Sequence, residues 1–320
     1  MAKTHRGGCF GCLFKLTLYG LIALALVVLA VRWLPMMMPR GAEDGLSVNA
    51  GLPGEYVNIL LLGSDNYDSD QPGRTDTMLI MSVNTYSGDV ILTSLMRDTV
   101  VDIPGKGRQK INAAYRYGGG KLSMQTVNQA FGMNITQYIA VDFLSFPYLI
   151  DYLGGINITV KEAELGTLNR LVLSVQHLFK DSGTDVSLLK GAGENIKVTG
   201  VQALAFSRIR SIDTDYMRAS RQRMVIDATL SKLRSIRDPV TLARTASAAF
   251  NHLETNINSA QLLILGLKVM LGGADTKQYR IPAEGAYESG TYGGTWEIRP
   301  DLEKNRAILY QYIYGQGEGD

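Results

Sequence analysis

Charged side chains gather where apolar runs end. Asp65 follows Gly63 and Ser64, just past the run Val57–Leu62, and Arg74 and Asp76 flank Thr75 at the mouth of the next run, Thr77–Val83. Arg97 and Asp98 close a third run, Val90–Met96, and Lys110 opens Lys110-Ile-Asn-Ala-Ala-Tyr115. Further along, Arg208 and Arg210 end one helical segment and Asp213 and Asp215 occupy the following loop; Arg218, Arg221, Gln222 and Arg223 open a longer helix. Arginine presents a planar fork that binds phosphate oxygens bidentately and stays charged at any working pH. Arg218, Arg221 and Gln222 are spaced i, i+3 and i+4, so on a helix they project from one side. They sit in its first turn or so, where the helix dipole also favours an anion. Asp65 and Asp76, at adjacent strand ends, can share Mg²⁺, which takes one or two carboxylates together with phosphate oxygens. Arginines beside a carboxylate-held metal are the parts that electrostatic catalysis of phosphoryl transfer requires. An Asp beside an Arg is also what a surface ion pair looks like, worth under about 1 kcal/mol. Spacing alone leaves both readings open.

Composition narrows the classes. Hydrophobic residues make up 46% of the 320 and charged residues 19%, as in a folded globular chain. The net charge is only +2, so there is no global basic field for nucleic acid, and anion binding must come from a local cluster. The two cysteines, Cys9 and Cys12, both precede the first long apolar run. The main domain therefore has no disulfide, no thiolate metal site and no cysteine nucleophile. Cys9 and Cys12 have the spacing of half a zinc site, without a second half; reversible acylation or plain reduced thiols are the remaining readings. The three histidines, His5, His177 and His252, fall in no motif, which argues against histidine acid–base or zinc chemistry.

The elements that must position the charged set begin after a membrane segment. Leu16 to Val31 carries no charge and, extended by Trp33 and Leu34, approaches the roughly 20 residues that cross a bilayer. Lys3, Arg6 and Lys15 precede it, which places residues 1–15 in the cytoplasm, a single-pass anchor over 16–34, and the rest outside. A cleaved secretory signal is the competing reading, and it exports the same domain. Residues 35–54, rich in Pro and Gly, read as a linker, and 55–320 as the extracytoplasmic domain. Beyond the three apolar runs, with a hairpin turn at 85–89, strands are expected at Gln137–Val141, Ile156–Val160 and Gln278–Ile281. Helices are expected over Lys121–Phe131, Phe143–Tyr152, Thr199–Phe206, Arg218–Ile236, Pro239–Leu253, Ser259–Leu271 and Leu302–Tyr314. Residues 161–195 read as a polar insertion and Gly285–Gly294 as a surface loop. Strands interleaved with helices predict an α/β domain with a layered sheet.

The segments Asn58-Ile-Leu-Leu-Leu-Gly-Ser-Asp65, Gly73-Arg-Thr-Asp-Thr77, Arg97-Asp-Thr99, Lys110-Ile-Asn-Ala-Ala-Tyr115, Ser207-Arg-Ile-Arg210 and Asp215-Tyr-Met-Arg218, the last followed by Arg221-Gln222, stand in the order seen in the LytR–CpsA–Psr family, which the chain resembles over about 57–236. The resemblance implies a three-layer α/β/α sandwich around a mixed central sheet, with a polyprenyl chain held in a hydrophobic pocket. It also implies transfer of a glycopolymer (wall teichoic acid, capsule or similar) from a polyprenyl-pyrophosphate carrier to peptidoglycan. The acceptor it implies is the C6 hydroxyl of N-acetylmuramic acid, with polyprenyl phosphate released. By motif position, Asp65 and Asp76 would hold Mg²⁺ or Mn²⁺. Arg74, Arg97, Arg208, Arg210, Arg218, Arg221 and Gln222 would grip the pyrophosphate, with Lys110 an added phosphate or sugar contact. The resemblance also implies a catalytic set of Asp76, Arg74 and Arg97, with Asp76 doubling as a base for the acceptor hydroxyl. Met217 stands where family members often have glycine, and 237–320 match no motif. Two other readings are hydrolysis of the same carrier and a noncatalytic envelope regulator. About 15 cytoplasmic residues ahead of the anchor are too few for a DNA-reading domain.

Overall fold

The computed structural model describes residues 45–65, 73–180, 183–210, 215–272 and 276–315. All of these lie in one compact unit, Arg40–Asp320. The expected tail and anchor, Cys9, Cys12 and Asp213 lie outside the described residues. Among the described residues no helix is long and apolar enough to cross a membrane.

In chain order the elements are β1 (Tyr56–Ser64), β2 (Thr75–Asn84), β3 (Val90–Leu95), β4 (Val100–Ile103), β5 (Gly107–Lys110), α1 (Ala113–Phe131), β6 (Gln137–Val141), α2 (Ser145–Tyr152), β7 (Ile156–Val160), α3 (Glu162–Val175) and β8 (Gly193–Val198). They continue with α4 (Gly200–Ser207), α5 (Asp215–Ser235), α6 (Pro239–Phe250), β9 (Glu254–Thr255), α7 (Ser259–Leu271), β10 (Thr276–Ile281), β11 (Tyr287–Tyr292), β12 (Thr295–Pro300) and α8 (Leu302–Tyr314). A six-stranded sheet runs β10-β3-β2-β1-β6-β9. It is mixed: β1 pairs β2 antiparallel and β6 parallel, and β3 pairs β10 parallel.

Because strand side chains alternate between faces, each apolar run supplies two cores. Leu60, Leu62, Met78 and Ile80 face a cluster with Val127 of α1 and Leu309 of α8. Ile59, Leu79, Met81 and Leu92 face the opposite way, toward Leu230 of α5 and Leu265 of α7. Helices therefore cover both faces, and the layering matches the expected sandwich. A third cluster joins α2, α3, α4 and the β7–β8 pair.

The structure departs from the sequence reading in four places. The helix expected from Lys121 begins at Ala113 and is broken at Gly118 and Gly119 (φ +61), where a run of glycines leaves too little apolar periodicity to read. The insertion 161–195 holds α3, whose Leu168 and Val172 are fully buried. The expected loop at Gly285–Gly294 is largely the strand β11, which turns into β12 through Gly293 and Gly294, both at positive φ as tight hairpins demand. Leu46, within the stretch read as linker, is buried in the core, and its carbonyl accepts a hydrogen bond from Asn128.

Candidate active site at the sheet edge

The ends of β1, β2 and β3 bring the charged residues together. In the antiparallel register Gly63 stands opposite Thr77, and the register shifts at Ser64, opposite Thr75. A side chain at Gly63 would press against Thr77, so glycine lets the two strands end close together. Asp65 then follows β1 while Asp76 lies near the start of β2, tied by a backbone bond from Asp65 N to the Arg74 carbonyl (3.1 Å).

A chain of ion pairs crosses this edge. Arg97 donates through Nη1 to Asp76 Oδ1 at 2.7 Å, and Arg210 donates through Nη2 to the other Asp76 oxygen. Arg97 Nε also reaches Asp98 Oδ2 at 3.3 Å, and Lys110 Nζ donates to Asp98 Oδ1 at 2.6 Å. Lys110 is delivered by the β4–β5 hairpin, where it pairs with Val100. Burial pulls the Asp76 pKa up, but the charges and hydrogen bond of Arg97, with Arg210 and Arg218, outweigh it and leave it below the usual carboxylate value. Asp76 is thus a carboxylate at neutral pH and a weak base.

Behind this edge lies a cavity of about 760 Å³ between the sheet and its helices. Asp65, Asp76, Arg208, Arg210, Arg218 and Gln222 line its polar end. Its body is apolar: Leu61, Leu79 and Met81 form the sheet wall, and Leu230, Leu242 and Leu265 come from α5, α6 and α7. Arg208 also lies over the ring of Phe143, 4.6 Å from its centroid, so an aromatic contact that the motif did not reveal orients one of the cavity's cations.

The remaining residues of the predicted set are placed differently. Arg97 and Lys110 join the site through Asp76 and Asp98 rather than by lining the cavity. Arg74 is exposed and lies off the cavity lining. Arg221 was expected on one side of the helix with Arg218 and Gln222. Of the three, only Arg218 and Gln222, one turn apart, line the cavity. Arg221 is 2% exposed, donates through Nε to Glu164 Oε1 at 2.8 Å, and through Nη1 to the Ile209 carbonyl at 3.1 Å. Glu164 also accepts from the Lys161 backbone N–H, tying the start of α3 to α5. Sequence reasoning missed Glu164 because it lies in the insertion, over a hundred residues from the first motif.

A metal would find two carboxylates here. Among the described residues no group of three or more His, Cys, Asp or Glu side chains could hold one. Asp65 and Asp76 share the cavity's polar end, and each Asp76 oxygen that accepts from an arginine keeps a second lone pair. Such a pair fits an ion that takes its other ligands from phosphate and water.

Residues 40–306 match the model of the LytR_cpsA_psr family. A protein of Oceanobacillus iheyensis named polyisoprenyl-teichoic acid–peptidoglycan teichoic acid transferase TagU is 34% identical over 79% of this chain and 74% of its own length. A Staphylococcus aureus protein named regulatory protein MsrR is 30% identical over 78% of this chain and 72% of its own. The crystal structure of Bacillus subtilis TagV superposes with a TM-score of 0.65 at 25% identity, covering 82% of this chain and 98% of that one.

Proposed function

The chain belongs to the LytR–CpsA–Psr family, and from that premise we propose that it is a transferase that moves a glycopolymer phosphate from a polyprenyl-pyrophosphate carrier to peptidoglycan. The observation that carries this reading is one cavity with a charged mouth and an apolar body. That is the complement of an amphiphile whose head is a pyrophosphate and whose tail is a long hydrocarbon. The name of the TagU relative, which states a reaction of this kind, supports it.

In this reaction the C6 hydroxyl of N-acetylmuramic acid attacks the phosphorus nearer the glycan. The bond from that phosphorus to the bridging oxygen breaks, and polyprenyl phosphate leaves with the electron pair. The product is a phosphodiester, and the hydroxyl proton passes to a base. Arg208, Arg210 and Arg218 hold the pyrophosphate oxygens and meet the charge that develops on them. Arg97 fixes the Asp76 carboxylate, and Lys110 and Asp98 fix Arg97. Asp65 and Asp76 would hold Mg²⁺ or Mn²⁺, which supplies charge neutralisation at the phosphates when bound. With its oxygens engaged by two arginines and its pKa lowered, Asp76 is better suited to ligation and orientation than to taking the proton. The expected anchor, with an N-terminus in the cytoplasm, sets this domain outside the cell membrane beside both substrates.

The test is transfer of labelled glycan from a prenyl-pyrophosphate donor to peptidoglycan oligomers by the full chain in detergent with Mg²⁺. Wild type should form the phosphodiester, and Arg97→Ala should lose it by about a hundredfold or more, as for loss of a group aligning transition-state electrostatics. Release of free glycan phosphate without transferred label would replace this reading with hydrolysis.

A further inference from the structure

Arg223 of α5 and Arg280 of β10 form a second arginine pair, on a different side of α5 from the cavity. Arg223 lies five residues beyond Arg218, so it projects about 140° further round the helix. It points to β3, where its Nη1 donates to Ser94 Oγ at 2.8 Å. Only 6% of Arg223 is exposed, and its Nε is buried with no hydrogen-bond acceptor. Arg280 stands opposite Ser94 in the parallel β3–β10 register, so both residues point to the α5 face of the sheet. Its guanidinium lies over the ring of Tyr216, 4.6 Å from the centroid, and Tyr216 is 46% exposed.

This pairing is electrostatically incomplete. Among the described residues neither Arg223 nor Arg280 has a carboxylate partner. Burial pulls the Arg223 pKa below its ordinary value; the Tyr216 hydroxyl opposes that shift and the charge of Arg280 adds to it. A buried guanidinium with one neutral hydrogen bond and a like charge beside it destabilises the fold unless an anion meets it. The cluster is reachable, because Arg280 is only partly buried and Tyr216 is open to solvent. It also adjoins the cavity mouth: Tyr216 is two residues before Arg218, and Ser94 three before Arg97.

We propose that Arg223, Arg280 and Tyr216 form a second anion subsite, which holds a phosphodiester of the donor's glycan chain beyond the reacting pyrophosphate. The inference rests on the reading above, in which the prenyl tail fills the apolar cavity and the glycan emerges at its charged mouth. A phosphodiester suits two guanidiniums because its two non-bridging oxygens can each accept from a different arginine. Its tetrahedral phosphorus turns those oxygens toward separate donors, and its charge persists at any working pH. The Tyr216 ring holds Arg280 in place and offers an edge against which a sugar or polyol can lie.

Two synthetic donors with the same prenyl pyrophosphate test this on the full chain in detergent: one with a neutral glycan, one whose glycan bears a phosphodiester. Wild type should bind the phosphodiester donor about tenfold more tightly, the scale of one or two charge-assisted hydrogen bonds. Arg280→Gln should remove that gain while leaving affinity for the neutral donor unchanged, and Arg280→Lys should restore part of it. Arg280 is partly exposed, so its replacement spares the core if Arg223→Gln fails to fold. Equal affinity of wild type for both donors overturns the subsite. So does a phosphodiester gain that survives in Arg280→Gln, or a glycan carboxylate that substitutes fully for the phosphodiester. Failure of wild type to bind either donor overturns the prenyl-pyrophosphate reading, and the subsite with it.

Discussion

Arginines of neighbouring motifs divide here into two physical roles. Arg210 is half exposed and pairs with Asp76 where both line the cavity. Arg221 is buried against Glu164, out of reach of the cavity. Removing one member of a buried ion pair strands the other in a low-dielectric site, a loss of roughly 3–5 kcal/mol. Arg221→Ala and Glu164→Ala should each lower stability on that scale in urea unfolding, and the double variant should lose less than their sum. Arg210→Ala should shift stability by less than about 1 kcal/mol and abolish transfer. An Arg221→Ala protein as stable as wild type would return Arg221 to the phosphate-binding set. The motif Arg221-Gln222 was legible in the sequence; that one side chain turns inward and the other toward the cavity was not. Glu164, which decides this, lies in a segment that read as a polar insertion.

At the scale of elements, the cavity wall depends on how closely α2 and α4 approach. Gly200 opens α4, and its N–H donates to Asp151 Oδ1 at 2.7 Å. A Cβ at Gly200 would lie 2.1 Å from the carbonyl oxygen of Pro147, which is backbone and cannot rotate away. Gly200→Ala must therefore push α2 off α4, and Leu149 and Ile150 of α2 line the cavity. Overpacking of this kind costs about 1–3 kcal/mol. A thermal melt should show the loss, and prenyl affinity should fall with it; an unchanged melt would mean the helices part without strain. The helix itself was readable, since Thr199 accepts from Gln202 N–H and Gln202 accepts from Thr199 N–H, a reciprocal cap visible in the residue types. The contact that requires a glycine was not, because it joins segments about fifty residues apart.

For the whole molecule, the helices outside the recognised motifs complete the site. Leu242 and Ala246 of α6 and Leu265 and Val269 of α7 close the apolar cavity that the motif residues open. Ala246→Trp should fill part of that space, weakening prenyl-pyrophosphate binding by about tenfold while leaving a short-chain pyrophosphate unaffected, since each buried methylene contributes about 0.8 kcal/mol. Ligand-dependent unfolding checks it: at a hundredfold excess over Kd a ligand specific to the folded state adds about 2.7 kcal/mol of stability. Wild type and Ala246→Trp should differ for the long chain only. Equal stabilisation would place the prenyl chain elsewhere.

By itself the sequence determined the alternation of strands and helices, the strand ends at which the charges gather, and the ordered motifs that mark the family. These are local properties, carried by hydrophobic period, caps and residues a few positions apart. Tertiary structure alone decided which arginines reach the cavity and which are locked into the scaffold. It decided that residues beyond the motifs wall the cavity, and that Arg223 and Arg280 come together with no carboxylate partner among the described residues. Those outcomes depend on pairings such as Arg221 with Glu164 and Arg280 with Ser94. Sheet order and helix docking bring these residues together across long stretches of chain, and no local period encodes that.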